Sequence, residues 1–261
     1  MHSNTPLWEE FLGLNDQHLT RIQIPDHYKE FGSDQFVNSK ILEDWEIFIK
    51  QAREYDEGLS PWPISSFRSF ERQLQIWNKK ARGESLLRDR NDQVLEYATV
   101  KDNEEKLLWT ILNWSALPGL SRHHWGTDLD IVNLSALKNY KEEHKNNYQV
   151  NLCTDEYSQT GIFHLFNSWM NTYEKTGQAL FARPYDQDYG ATMPEPWHIS
   201  HCYYSKVFLS TIEYEGARKL RDLIKSDIYK GMELREVVLK NLNTILEKYT
   251  KGISSQFKLH S

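Results

Sequence analysis

Cysteine is scarce in this chain. Two residues, Cys153 and Cys202, make no disulfide framework, so the fold must rest on its apolar core. Cys202 reads as a small buried thiol rather than a soft metal ligand. There is no run of eighteen or more apolar residues, which excludes a membrane-spanning helix. Positive charge is also short. With 31 Lys and Arg against 37 Asp and Glu, the net charge of −6 leaves no basis for the basic face that nucleic-acid binding requires. The first ten residues, Met1 to Glu10, lack a basic stretch followed by an apolar one, so no secretory leader is seen. The expected location is therefore cytoplasmic, or periplasmic or extracellular if a leader has been removed. Internal repeats and low-complexity tracts are absent too.

Aromatic residues are plentiful, with nine Trp and fourteen Tyr among 261 residues. That is enough to build a sizeable core for one large domain, or for one domain with appendages.

Two short segments hold the chemistry. One is Ser121-Arg122-His123-His124-Trp125-Gly126-Thr127-Asp128-Leu129-Asp130. The other, 65 residues on from Asp130, is Glu195-Pro196-Trp197-His198. Together they supply two imidazoles and a carboxylate for a metal, with a second carboxylate beside it. A catalytic zinc site uses three such ligands and leaves a position for water, whose proton a nearby carboxylate can accept. The inventory is that of a zinc hydrolase. With ten His in the chain, however, accidental His/Asp pairs are common, and a lone His is more often packed or on the surface.

Spacing refines the picture. Leu129 and Ile131 alternate with Asp128 and Asp130, the pattern of a half-buried strand over 127–132. His123 then lies on the loop that feeds it, and Gly126 permits a sharp bend. Pro194 and Pro196 favour extended backbone around Glu195, where a Glu and a His three apart do not share a face. One of them can ligate while the other approaches the attacking water from the side.

Elsewhere, helical stripes mark 40–57 (Trp45, Phe48, Ala52), 69–82 (Phe70, Leu74, Trp77) and 162–173 (Phe166, Trp169, Tyr173). A further helix is expected over 104–117. Pro61-Trp62-Pro63 reads as a break before a short strand at 64–67, and the polar stretch 84–103 as a loop, either substrate-contacting or merely surface. Segment 135–149 is helical or irregular. Short strands are expected near 181 and from 198. Residues 206–225 and 231–250 read as two helices with solvated charged faces. Helices alternating with short strands make an α+β fold.

The pattern Ser-x-His-(x6)-Asp followed by Glu-x-Trp-His resembles the zinc D-alanyl-D-alanine peptidases, the family of the vancomycin-resistance carboxypeptidases and dipeptidases. Ser65-Ser66-Phe67-Arg68-Ser69-Phe70-Glu71-Arg72-Gln73 is similar to that family's Ser-x-x-Arg-Ser-x-x-x-Gln element. The resemblance implies a small antiparallel sheet carrying one zinc ion per chain, flanked by helices, in a peptidase domain over 1–205 whose motifs fall within 60–203. Residues 206–261 are left as a C-terminal helical extension packed on it.

It also implies roles. His123, Asp130 and His198 would bind zinc. Glu195 would be the general base, and Arg68 would stabilise the oxyanion. Ser121 and Gln73 would contact substrate, and Trp197 would hold His198. The register selects His123 over His124, which is expected beside the site or on the surface. Asp128 departs from the family's usual small residue there. It is either a carboxylate orienting a ligand His or a surface carboxylate at the pocket mouth. Trp114 and Trp125 form a pocket wall or simply pack. The implied activity is hydrolysis of D-alanyl-D-alanine termini of peptidoglycan peptides or precursors. The alternatives are a stem-peptide endopeptidase of the L-Ala-D-Glu type and a non-catalytic zinc-containing binding protein. Oligomeric state is left open.

Overall fold

The computed structural model of the protein describes residues 8–144, 150 and 152–258. The far end of the expected 135–149 segment and the first seven residues lie outside them. The chain begins with helix α1 (Trp8–Leu12) and an antiparallel pair, β1 (Leu19–Ile22) with β2 (Gln35–Asn38). Helix α2 (Leu42–Tyr55) buries the predicted stripe Trp45, Phe48 and Ala52. Strand β3 (Pro61–Ser65) leads to α3 (Phe70–Ala81), where the Ser69 hydroxyl caps the first turn by accepting from the Arg72 N–H.

The polar stretch 84–103 is more structured than a loop. It contains the antiparallel strands β4 (Leu87–Arg88) and β5 (Val94–Leu95), with Asp92 at φ 62° between them. Asn103 caps α4 (Glu104–Leu112), which stops five residues short of the expected end. There follow β6 (Asp128–Asn133), α5 (Leu134–His144), α6 (His164–Tyr173), β7 (Phe181–Ala182), β8 (His198–His201), α7 (Tyr204–Lys225) and α8 (Arg235–Lys251). Gly216 leaves helical geometry within α7, and Leu234, expected inside the last helix, sits at φ 59° just before it. Among the described residues no helix is long and apolar enough to cross a membrane.

The main sheet is antiparallel with strand order β3-β6-β8-β7. Pro61 and Pro63 do not break the chain as expected. They lie within β3, an edge strand, where a missing N–H costs no ladder bond on the paired side. β6 is buried at every position rather than on one face alone, because helices and loops cover both of its sides. The register sets Asp130 opposite Ser65 on one side and His198 on the other, so strand pairing itself builds the site.

Two apolar clusters flank this sheet. One joins it to α2 and α6 through Phe48, Trp169, Phe181 and Ile199. The other joins α1, α3 and α4 to the C-terminal helices through Trp77, Leu108, Trp125, Phe208 and Leu242. A fully buried Leu or Phe in such a cluster contributes about 1.5–3 kcal/mol. The C-terminal region also reaches the site loop directly, since the Tyr229 hydroxyl donates to the Pro118 carbonyl at 2.7 Å.

Candidate active site

His123 lies in a single 3-10 turn, Arg122–Trp125, closed by Gly126 at φ 66°. A Cβ at 126 would stand 2.8 Å from the Asn38 amide nitrogen, so the bend requires glycine. Arg68 is clamped to this turn twice. Its N–H donates to the His123 carbonyl at 3.0 Å, and its own carbonyl accepts from His124 Nδ1 at 2.6 Å. His124 Nε2 accepts from the Gly119 N–H at 3.0 Å. Both ring nitrogens are thus occupied and the tautomer is fixed. His124 lies in the core and not beside the site or on the surface, with its pKa pushed down to about 3 by burial.

His123, Asp130 and His198 converge, each offering a ligand atom within 4.8 Å of the others. His123 Nε2 lies 3.4 Å from Asp130 Oδ2, and His198 Nδ1 lies 3.3 Å from Asp130 Oδ1. The outer ring nitrogens are tied back, His123 Nδ1 to the Ser66 carbonyl at 2.9 Å and His198 Nε2 to Asp128 at 3.1 Å. With those nitrogens protonated, the inner lone pairs face one point. Asp130 Oδ1 is buried without a hydrogen-bond partner among the described residues. An orphaned carboxylate oxygen beside two imidazole lone pairs fits a bound cation, and two imidazoles with a carboxylate suit zinc. Burial alone would raise the Asp130 carboxyl, but His123 and His198 hold it well below the usual range.

Asp128 is fully buried behind His198 and not at the pocket mouth. Besides the imidazole it accepts from Arg122 Nε at 2.6 Å and from the Thr127 hydroxyl at 2.9 Å. Arg122 continues to the Ser200 hydroxyl at 2.6 Å and lies over the rings of Trp125 and Phe257. Burial raises the Asp128 carboxyl, yet Arg122 and His198 bring it down to about 2. Arg122 was missed in the sequence. A charged residue inside the metal loop, six before an unexpected Asp, was the available signal.

Glu195 and His198 do meet, contrary to the expectation for an extended segment. The chain turns at Pro196-Trp197, with the His198 N–H donating to the Glu195 carbonyl at 3.0 Å. Glu195 Oε2 thereby comes to 3.3 Å from His198 Nδ1. Arg68 Nη2 stands 4.0 Å from Asp130 Oδ2. Its guanidinium donates to Gln73 Oε1 at 2.9 Å and to the Ser65 hydroxyl at 3.0 Å. The Gln73 amide donates in turn to the Ala116 carbonyl at 2.7 Å. Gln73 is therefore buried and spent on holding Arg68, away from the cavity wall.

Arg68, His123, Asp130, Glu195 and His198 line a cavity of about 240 Å³ together with Ser121, Trp197 and Tyr185. Trp197 packs on Tyr157 with centroids 5.9 Å apart, and Tyr185 meets the His198 ring edge-on at 5.3 Å. Trp114 forms a wall, while Trp125 is wholly buried against Phe208. The β4–β5 hairpin adds Arg88 and Asp92, so part of the expected loop reaches the site. Cys202 is partly buried and stands outside the metal cluster, its thiol pushed up to about 12 by burial.

Known proteins resemble this chain to differing degrees. An uncharacterised protein of Haemophilus influenzae is 30% identical over 109 residues, 42% of this chain and 68% of that one. Among solved structures, VanYB in complex with D-alanine-D-alanine is 17% identical, with 89% of this chain and 93% of that one covered at a TM-score of 0.44. The vancomycin-resistance D,D-dipeptidase VanXYg, in complex with a D-Ala-D-Ala phosphinate analogue, is 18% identical, with 85% and 69% covered and a TM-score of 0.43. A family profile, that of the VanY D-alanyl-D-alanine carboxypeptidases, matches residues 34–204. That span holds Arg68, the metal loop and the Glu195 turn, and by it this chain belongs to the VanY D-alanyl-D-alanine carboxypeptidase family.

Proposed function

We propose that the protein is a zinc-dependent peptidase that hydrolyses D-alanyl-D-alanine termini of peptidoglycan peptides or precursors. The observation that carries this reading is that Glu195 comes to 3.3 Å from His198 and Arg68 to 4.0 Å from Asp130, so that both border the His123–Asp130–His198 cluster. A recognition or structural metal centre needs neither group.

His123, Asp130 and His198 would hold one zinc ion, which when bound supplies an acidified water and a Lewis acid for the scissile carbonyl. Glu195 takes a proton from the attacking water and returns it to the departing amine. Arg68 faces the carbonyl oxygen as it gains negative charge. Because Ser65 and Gln73 fix its guanidinium, little reorganisation is needed, and such a donor is worth roughly 3–4 kcal/mol in the transition state. The Ser121 hydroxyl, on the cavity wall, hydrogen-bonds the substrate. Trp197 backs the turn that presents Glu195 and His198 together.

The test is mass spectrometry of a muropeptide and dipeptide panel after incubation with zinc-loaded protein, with Glu195→Gln as control. Loss of terminal D-Ala that disappears in the variant, while zinc remains bound, is the expected result. A cut between L-Ala and D-Glu would replace the substrate assignment. No cleavage by folded, zinc-loaded protein would overturn the enzymatic reading.

A further inference from the structure

Residues after 204 lie outside the family profile, yet two of them reach the groups behind the metal cluster. The meeting point is Arg122. Its guanidinium is buried, donating through Nε to Asp128 and through Nη2 to the Ser200 hydroxyl, each at 2.6 Å. It also lies over two aromatic rings, with the centroid of Trp125 at 5.0 Å and that of Phe257 at 5.3 Å. Phe257 sits in a single 3-10 turn (Ser255–Phe257) after α8 and has no exposed surface. A cation over a ring is attracted by the negative face of the π-system, more strongly where water is excluded.

The remaining guanidinium nitrogen, Nη1, is buried and has no hydrogen-bond partner among the described residues. The same is true of the Tyr249 hydroxyl on α8. Buried polar groups ordinarily pair, and these two are complementary, a charged N–H donor and a phenol oxygen able to accept. They are close enough to interact: burial pushes the Tyr249 hydroxyl well above its ordinary pKa, and the positive charge of Arg122 opposes the rise. The chain that follows Tyr249 is tied down. The Ser254 N–H donates to the Pro184 carbonyl at 2.9 Å, and a Cβ on Gly252 would stand 2.3 Å from the Ala191 Cβ. Pro184 and Ala191 belong to the loop that ends at Glu195, which is closed by the Glu195 N–H donating to the Tyr185 carbonyl at 2.9 Å.

We infer that Tyr249 and Phe257 are positioning residues for the metal cluster: Phe257 with its ring face and Tyr249 with its hydroxyl oxygen hold Arg122 in place, and Arg122 aims His198 through Asp128. The inference rests on the proposed zinc-binding role of the cluster. Asp128 Oδ1 meets both Arg122 Nε and His198 Nε2, so a guanidinium that shifts takes the carboxylate with it and turns the imidazole. A side chain that only filled the core would add stability and leave that aim unchanged. The C-terminal segment is thereby part of the site and not an appendage to it.

The experiment measures zinc affinity by chelator competition and stability by urea unfolding. Tyr249→Phe and Phe257→Leu, which keep most of the buried volume, are each expected to weaken zinc binding about tenfold. Leu242→Ala, a buried change on the same helix two turns before Tyr249, should lose stability and keep its zinc affinity. In the background Asp128→Ala/Arg122→Met, where the link is removed, Tyr249→Phe and Phe257→Leu should weaken zinc binding no further. Unchanged affinity in both single variants would overturn the inference. So would an equal loss in Leu242→Ala, or the same tenfold loss in the linkless background. The NMR signal of the His198 Nε2–H in metal-free protein gives an answer that needs neither zinc nor turnover. A signal displaced by Tyr249→Phe and Phe257→Leu but not by Leu242→Ala supports the positioning role even if the protein binds no zinc, and a signal unmoved in all three overturns it.

Discussion

His198 Nε2 lies 3.1 Å from Asp128 Oδ1, and the same oxygen receives Arg122 Nε at 2.6 Å. One carboxylate oxygen therefore orients an imidazole of the His123–Asp130–His198 cluster and neutralises a buried guanidinium.

These two duties separate by mutation. Asp128→Ala should weaken zinc binding about 10- to 100-fold, measured by chelator competition. It should also destabilise the fold by about 3–5 kcal/mol, because Arg122 is left unpaired. Asp128→Ala/Arg122→Met should recover most of the stability in urea unfolding and none of the zinc affinity. Full recovery of zinc binding in the double variant would show that the imidazole does not depend on Asp128.

Gln73 touches Arg68 and the Ala116 carbonyl, and the cavity is lined without it. Gln73→Leu should therefore lower kcat about tenfold by loosening an oxyanion donor, with KM and zinc stoichiometry unchanged. A raised KM with unchanged kcat would instead mark Gln73 as a substrate contact.

Gly119 has φ 83°, and a Cβ there would lie 2.6 Å from the Tyr229 hydroxyl. Gly119→Ala should cost about 2–3 kcal/mol in urea unfolding, from backbone strain and the clash together. Gly190→Ala, at φ 82° in open space, should cost only about 1 kcal/mol. Adding Tyr229→Phe to Gly119→Ala should restore part of the loss.

Lys80 is brought down to about 8 by burial, against the opposing pull of Glu195. Its folded pKa lies below its unfolded one, so between about pH 8 and 10.5 the unfolded chain holds the extra proton. Its burial penalty is full below pH 8 and fades as the pH rises through that window. Wild-type stability relative to Lys80→Met should thus increase by about 2–3 kcal/mol from pH 7.5 to 10.5. A difference independent of pH would show that Lys80 is not held against its charge.

Much of this was legible in the chain, for identifiable reasons. The stripes of α2 and α3 depend on neighbours within one helix, so periodicity reveals them. The grouping of His123, Asp130 and His198 was visible because each of them sits in a short motif. What escaped depends on partners far along the chain. The Pro61 and Pro63 reading assumed a break, and only the pairing of β3 with β6 alone makes prolines acceptable there. The Glu195–His198 approach needs a turn at Pro196-Trp197 that two prolines had argued against. The part of Arg122 depends on Ser200, 78 residues away.

The prolines of β3 have one more effect. A polypeptide extending this sheet would need main-chain donors along the outer rim, and neither Pro61 nor Pro63 has one to give. The opposite rim, β7, is two residues long. The sheet is closed to strand addition at one margin and too short for it at the other, which guards it against edge-to-edge aggregation.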